Sequence, residues 1–462
     1  MAEGTIVGRK TPNAGLQSSV RWICIHGCPR RLLFCESESK MPIKKNQLHS
    51  LPVGEGRRMV ADVYTAPPPS AHGRVVALDC HPDTFTAVVV RGTTPHNACK
   101  VSSRENLSLE SLFTWVSAEF SSEDLFVMEA GCNSFEICRR LQALGLRAAV
   151  LESAHVGKQA KTYADDDKTA AGRIALVYLA GNAPCVWLPD EKTCQRRELL
   201  HVYQKAVSDH TASVNALKSY LNQFTIRLGR RSPALERTRQ WIFAQRDWTP
   251  VQRILLTDYL TELTHHAQRR ADLLRIIGQE ICAEPLMLRC MKLLGIGKIN
   301  AFALLAIIGD VTRFARPEKL VAYLGLNPGQ RNSGESKRVK LGLQSRGRMD
   351  LRNLLIQGAQ AVMRTGASSA LGKWGWKLFA RKGIRNVAVA AVARKLAIQA
   401  WHLLSGNPPE LLETDKILSR KLQKLLVALG KNLRAEMRLP ATIEDGVREL
   451  RRRITDPSPI VA

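Results

Sequence analysis

Charge is distributed so unevenly along this 462-residue chain that it must be read as several domains. Residues 73–180 carry 11 Lys/Arg against 13 Asp/Glu, a net of −2, whereas residues 285–400 carry 21 against 4, a net of +17. The whole chain has 68 Lys+Arg and 41 Asp+Glu, a net of +27. A surplus of that size destabilises a compact state by self-repulsion, so it points to a polyanionic partner, with nucleic acid first. At 45% hydrophobic residues the chain is not a disordered one, and at roughly one domain per 100–200 residues its length predicts two to four domains.

The acidic region is patterned as a mixed α/β sheet. Arg74–Asp79 and Thr84–Val90 are β-branched runs around a Cys80-His-Pro-Asp83 turn, which predicts a hairpin. Leu125–Met128 is a third strand ending at Glu129, a helix follows over about 134–144, and Arg147–Leu151 is a fourth strand. Residues 167–179 read as a helix with Ile174, Val177 and Tyr178 on one face. Strands followed by helices predict helices packed on a sheet. From Tyr203 to Phe224, and again from Leu256 to Ile281, apolar residues recur at alternating spacings of four and three. That seam fits an antiparallel helical hairpin or coiled coil, or an ordinary buried bundle. The expected fold class is thus α/β plus α, ending in a mainly helical basic domain.

The first 58 residues hold ten Lys/Arg and four Glu with no periodicity, and read as a basic disordered leader or as translation upstream of a start at Met41 or Met59 rather than Met1. Eleven scattered cysteines suit a reducing cytoplasm rather than a disulfide framework. Cys24-Ile-His26-Gly-Cys28 lacks the second pair that a zinc knuckle needs. No run of 18 apolar residues is present, so no membrane partner is expected. The expected boundaries are 1–72 leader, 73–195 sheet domain, 196–284 helical linker, 285–405 basic domain and 406–462 a helical or flexible tail.

Three groups of residues carry candidate chemistry. Asp79 and Glu129 end neighbouring strands, and Asp165-Asp166-Asp167 opens a helix. Carboxylates so placed can converge on one sheet edge and hold hard divalent cations, Mg²⁺ or Mn²⁺, for phosphodiester chemistry; a turn-forming Asp and a helix cap explain the same residues. Leu293-Leu-Gly295-Ile-Gly297-Lys298 resembles a helix-hairpin-helix turn whose N–H groups approach a DNA phosphate, and a plain helix turn is the alternative. Ser333 lies in a Gly-rich loop among Arg331, Lys337, Arg338, Lys340, Arg346, Arg348 and Arg352. Cations around a loop serine bind phosphates and stabilise a phosphoryl transition state, which leaves phosphate contact, nucleophile and solvated loop as readings.

The segments VALDCHPDTFTAVVV, VMEAGCNSFEICRRLQALG and DDDKTAAGRIALVYLAGNAPCVWLPDEKTCQRRELLH resemble the RuvC-like (RNase H-like) DEDD domain of the insertion-sequence one-ten family of transposases. The stretch from Leu294 to Ala359 is similar to that family's C-terminal transposase domain, and the resemblance spans about residues 73–405. It implies a recombinase that cuts and rejoins DNA at element ends and target. Its acidic metal ligands would be Asp79, Glu129 and Asp167, and its nucleophile Ser333. A non-coding guide RNA, a homo-oligomer (dimer or tetramer) built through the coiled coil, and a prokaryotic, nucleoid-associated cytoplasmic location are also implied. One position departs from the family pattern: Asp-x-x-Asp counted from Asp167 lands on Ala170. The rival expectation is therefore a catalytically impaired, transposase-derived nucleic-acid-binding protein.

Overall fold

The computed structural model describes residues 73–157, 166–181, 184–331, 339–343, 346–365, 369–407 and 409–455, with the side chains of 330–331 and 339–341 excepted. The leader with its Cys24–Cys28 cluster, Asp165, Ser333, Lys337 and Arg338 lie outside the described residues.

The acidic region forms β1 (Val75–Cys80), β2 (Phe85–Arg91), β3 (Cys99–Leu107), α1 (Leu109–Glu119), β4 (Leu125–Glu129), α2 (Ser134–Ala143), β5 (Arg147–Leu151), α3 (Ser153–Val156) and α4 (Asp167–Leu179). The sheet order is β3-β2-β1-β4-β5. β1 pairs antiparallel with β2 and parallel with β4, and β4 pairs parallel with β5. Parallel strands buried on both faces need helices on both sides, and the two cores supply them. Val76, Leu78, Phe126 and Met128 pack beneath α1 and α2 through Trp115, Val116, Ile137 and Leu141. Val75, Ala77, Leu125 and Val127 pack beneath α4 through Ala171, Ile174 and Ala175. Two elements go beyond the sequence expectation. β3 is an edge strand whose side chains are almost all exposed, so it carries no apolar alternation. α1 is capped by Ser108, whose side chain accepts from Ser111 N.

Next come α5 (Glu191–Asn222), α6 (Glu236–Phe243) and α7 (Pro250–Ala283). Arg196 pairs with Glu280 and Glu284 at one end, and Tyr220 meets Tyr259 near the other, so α5 and α7 run antiparallel. The far end has its own core of Leu217, Leu221, Trp248, Leu256 and Leu260. Midway the pair is polar: Arg269 faces Asp209 and Arg270 meets His210.

The basic region comprises α8 (Pro285–Cys290), α9 (Lys298–Ile308), α10 (Pro317–Tyr323), a ribbon of β6 (Pro328–Arg331) and β7 (Val339–Leu343), then α11 (Met349–Arg364), α12 (Ala370–Lys382), α13 (Arg385–Leu404), α14 (Asp415–Glu436) and α15 (Ile443–Thr455). Every residue of α9 from Ala301 to Ile308 is buried, and α5, α7, α8 and α11 pack on it. α14 and α15 are part of this core: Leu422, Leu425, Leu426 and Leu450 are fully buried in it. α13 is, among the described residues, long and apolar enough to cross a membrane, yet half of it is packed inside this domain.

At the junction, Trp187 lies against Gly309, whose φ of +59° at the end of α9 leaves no room for a Cβ. Arg197 and Arg313 flank the Trp187 ring at 5.2 and 4.4 Å and donate to the last carbonyls of α9, Ala306, Ile307 and Ile308. Cations at a helix C-terminus complement its dipole and unpaired carbonyls.

Candidate active site and nucleic-acid interface

Strand alternation decides which way the carboxylates face. Val75 and Ala77 lie on the α4 side of β1, and Leu125 and Val127 on the α4 side of β4. Asp79 and Glu129 continue those two series, one step beyond the Leu78–Met128 register pair, and therefore share that face. Asp167 is the first residue of α4, which Asp166 caps by accepting from Thr169 N at 2.7 Å. Asp79 and Asp167 come together with His81, whose Nε2 stands 3.7 Å from Asp79 Oδ2 and 3.4 Å from Asp167 Oδ1. Asn133 holds the His81 turn by donating to its carbonyl at 2.7 Å.

Burial raises the Asp79 carboxyl above its ordinary range, and the Asp167 charge adds to the rise while His81 opposes it. His81 Nε2 is buried without a hydrogen-bond partner. A raised carboxyl, a neighbouring carboxylate and an unpartnered imidazole nitrogen form a donor set suited to a divalent cation. Sequence reasoning passed over His81, which read as filler in a Pro/Asp turn; the only signal was its place two residues after Asp79. Ala170 sits one turn into α4 from Asp167 and adds no carboxylate.

In the basic region several expected phosphate contacts are engaged within the chain. Gly295 N–H donates to Glu413 Oε1 at 3.0 Å, and Gly295 (φ +72°) meets Gly358 of α11 so closely that a Cβ on either would clash. Lys298 Nζ donates to the Lys424 carbonyl, and burial lowers its pKa. Arg352 is buried and donates to the Gly325 carbonyl at 3.2 Å. These three therefore brace the fold. Gly297, the residue before α9, has open space around it. Arg346 is exposed, and Arg348 is half-buried and paired with Asp350. At the foot of the ribbon, burial would raise the Tyr323 phenol, but the guanidiniums of Arg313, Arg348 and Arg197 outweigh it and lower its pKa. Ser333 falls between β6 and β7, outside the described residues.

Residues 288–372 match the family described as Transposase IS116/IS110/IS902. The chain is 27% identical over 292 residues to a transposase for insertion sequence element IS1111A from Coxiella burnetii, covering 60% of this chain and 79% of the relative. It is 28% identical over 289 residues to a probable family 20 transposase of Pseudomonas aeruginosa, covering 61% and 84%. A putative transposase of Sinorhizobium fredii, y4qE, is 27% identical over 302 residues, with 60% and 74% covered. An acidic α/β domain joined to a basic helical domain, with relatives of this kind, defines the class as a transposase of an insertion sequence. Within that class, residues 288–372 are similar to the transposase domain of the IS116/IS110/IS902 family.

Proposed function

We propose that this transposase cuts and rejoins DNA at its element's ends and at the target through a serine nucleophile, Ser333, and a divalent metal held by Asp79, Glu129 and Asp167. The observation that carries the reading is the approach of Asp79 and Asp167, from two elements 88 residues apart, to one edge of the sheet. The 3-2-1-4-5 strand order supports the RuvC-like, RNase H-like reading. Mg²⁺ or Mn²⁺ bound there would neutralise negative charge developing on a phosphate. In the covalent step the Ser333 oxygen bonds to phosphorus as the bond to one strand oxygen breaks, and that strand leaves as a hydroxyl carrying the serine's proton. Rejoining is the reverse attack by another strand's hydroxyl. Arg331, Lys337, Arg338, Lys340, Arg346 and Arg348 would hold the backbone, a non-coding guide RNA would select the DNA, and a homo-oligomer would bring sites together.

Ala170 favours a second reading, a chain that binds nucleic acid with impaired chemistry. One experiment separates them: the full chain and its Ala170→Asp variant are incubated with element-end DNA, the flanking RNA and Mn²⁺, then run on denaturing gels. Protein attached to a cleaved end, lost in Ser333→Ala with DNA binding retained, is the expected result. An adduct in Ala170→Asp alone establishes the impaired reading for this chain. An adduct that survives Ser333→Ala overturns the nucleophile.

A further inference from the structure

Between residues 351 and 409 there is no Asp or Glu, and α12 and α13 lie wholly within that stretch. α12 docks by a narrow face: Leu371, Gly372 and Gly375 are buried, and a Cβ on Gly375 would run into Val392 of α13 and Met363 of α11. That close seat fixes which face points outward. At 100° per residue, Trp374, Lys377 and Arg381 fall on one stripe away from the buried face, and all three are exposed, Trp374 by 37%. Lys395 of α13 stands 4.7 Å over the Trp374 ring, which holds that indole in place. Trp376, 43% exposed, is likewise pinned, donating Nε1 to the Met363 carbonyl at 2.7 Å and meeting Phe379 edge-on. Aromatic side chains exposed beside cations are the elements on which single-stranded bases stack. Here one contacts Lys395 and the other bonds the Met363 carbonyl, and both are interleaved with cations and free of acidic neighbours in sequence.

We propose that the outer face of α12 is a platform for an unpaired nucleic-acid strand, with one base stacked on Trp374 and the adjoining phosphates on Lys377, Arg381 and Lys395. Every base has a π-face, so a stacking platform recognises single strands without reading their sequence, and a duplex with its bases paired inside cannot use it. The charge complementarity is one-sided: with no carboxylate on either helix, the face suits a polyanion. The site rests on the chain being a nucleic-acid-processing protein but involves neither Ser333 nor the acidic cluster.

The test titrates the full chain with a fluorescein-labelled single-stranded 20-mer, as DNA and as RNA, and with the same DNA as a duplex, over a range of salt. Trp374→Ala should weaken single-strand binding by about tenfold, within the range for loss of one stacked base, and leave duplex binding within about twofold. Trp374→Phe, which keeps a π-face, should retain most of the affinity. Lys377→Ala and Arg381→Ala should each lower the slope of log affinity on log salt by about 0.7. The DNA and RNA probes tell which strand uses the platform. Equal losses on duplex and single strand, or no loss in Trp374→Ala with its melting temperature unchanged, overturn the proposal. So does Trp374-dependent binding to phosphatidylserine vesicles with single-strand binding intact, which would make the face a lipid-binding one. Ser333→Ala should bind the single strand like the unaltered chain, so the platform and the serine chemistry fail separately.

Discussion

An imidazole nitrogen between two carboxylates changes which divalent ion the acidic cluster suits. All-oxygen sites take Mg²⁺ readily, whereas imidazole favours softer transition ions and Mn²⁺ accepts both donors. With His81 Nε2 3.4 Å from Asp167 and no fourth carboxylate at Ala170, Mn²⁺ should bind this chain more tightly than Mg²⁺. Asp79→Asn should weaken both ions. His81→Ala should weaken Mn²⁺ by on the order of tenfold, a loss that removal of a merely orienting neighbour already brings, and change Mg²⁺ less. Isothermal titration of the full chain with each ion checks this, and unchanged Mn²⁺ affinity in both variants would sink the ligand assignment. Asp79 and Asp167, which the fold brings together, could be singled out because one ends an apolar run and the other opens a helix, features that local sequence carries. His81 could not, because its partner Asp167 is brought to it only by the docking of α4 on β1. Arg352 shows the converse: nothing in a string of arginines tells which one turns inward, and this one bonds the Gly325 carbonyl instead of facing solvent.

Among the elements, β1, β2, β4, α2, β5 and α4 follow the hydrophobic pattern almost residue by residue because each buries one or both faces. β3 escaped because an edge strand with solvent on most sides has no face to betray it; its place comes from its ladder with β2 and from ion pairs of Arg104 with Glu119 of α1 and of Glu105 with Lys168 of α4. The start of the sheet depends on one carboxylate. Asp124 accepts from Arg74 N, Nε and Nη2 and from Ser121 N at 2.9–3.0 Å, tying the head of β1 to that of β4. Burial alone would raise this carboxyl, but the hydrogen bonds and charge of Arg74 lower it below the usual carboxylate range. A depressed pKa contributes stability above the unfolded value of about 4, lost as pH falls through the folded value. Asp124→Ala should therefore cost about 2 kcal/mol at neutral pH, and the deficit against the unaltered chain should shrink as pH drops below about 4. Denaturant melts at pH 7 and pH 3.5 measure both; an equal deficit at the two values would refute the assignment.

At the scale of the whole molecule, the C-terminal helices close a core begun more than a hundred residues earlier. Lys421 Nζ donates to the carbonyls of Met291, Leu293 and Ile296 and pairs with Glu413 Oε1 at 2.9 Å, while Glu413 also accepts from Gly295 N. Burial lowers the Lys421 pKa and Glu413 opposes that shift. Glu413→Ala would leave a buried ammonium without its counter-charge and should destabilise the basic domain by about 3 kcal/mol, read as a fall in denaturant midpoint; a midpoint unchanged from the parent chain would mean the pair is dispensable. The same arrangement sets an order of events on the ribosome. α9 packs on α5, α7 and α8, made before it, and on α11, which follows some 50 residues later, while Leu425 of α14 and Leu450 of α15 join the same core only some 120 to 150 residues after Ala301. At 5–20 residues per second, roughly 6 to 30 seconds pass between synthesis of α9 and of these last two helices. The sheet can fold during that interval, but the basic core lacks α14, which lies on α7, and α15, which lies on α8, until those helices emerge. A premature stop before α14 thus releases a chain in which the side of α7 around Gly278, where Leu425 and Leu429 pack, stays bare.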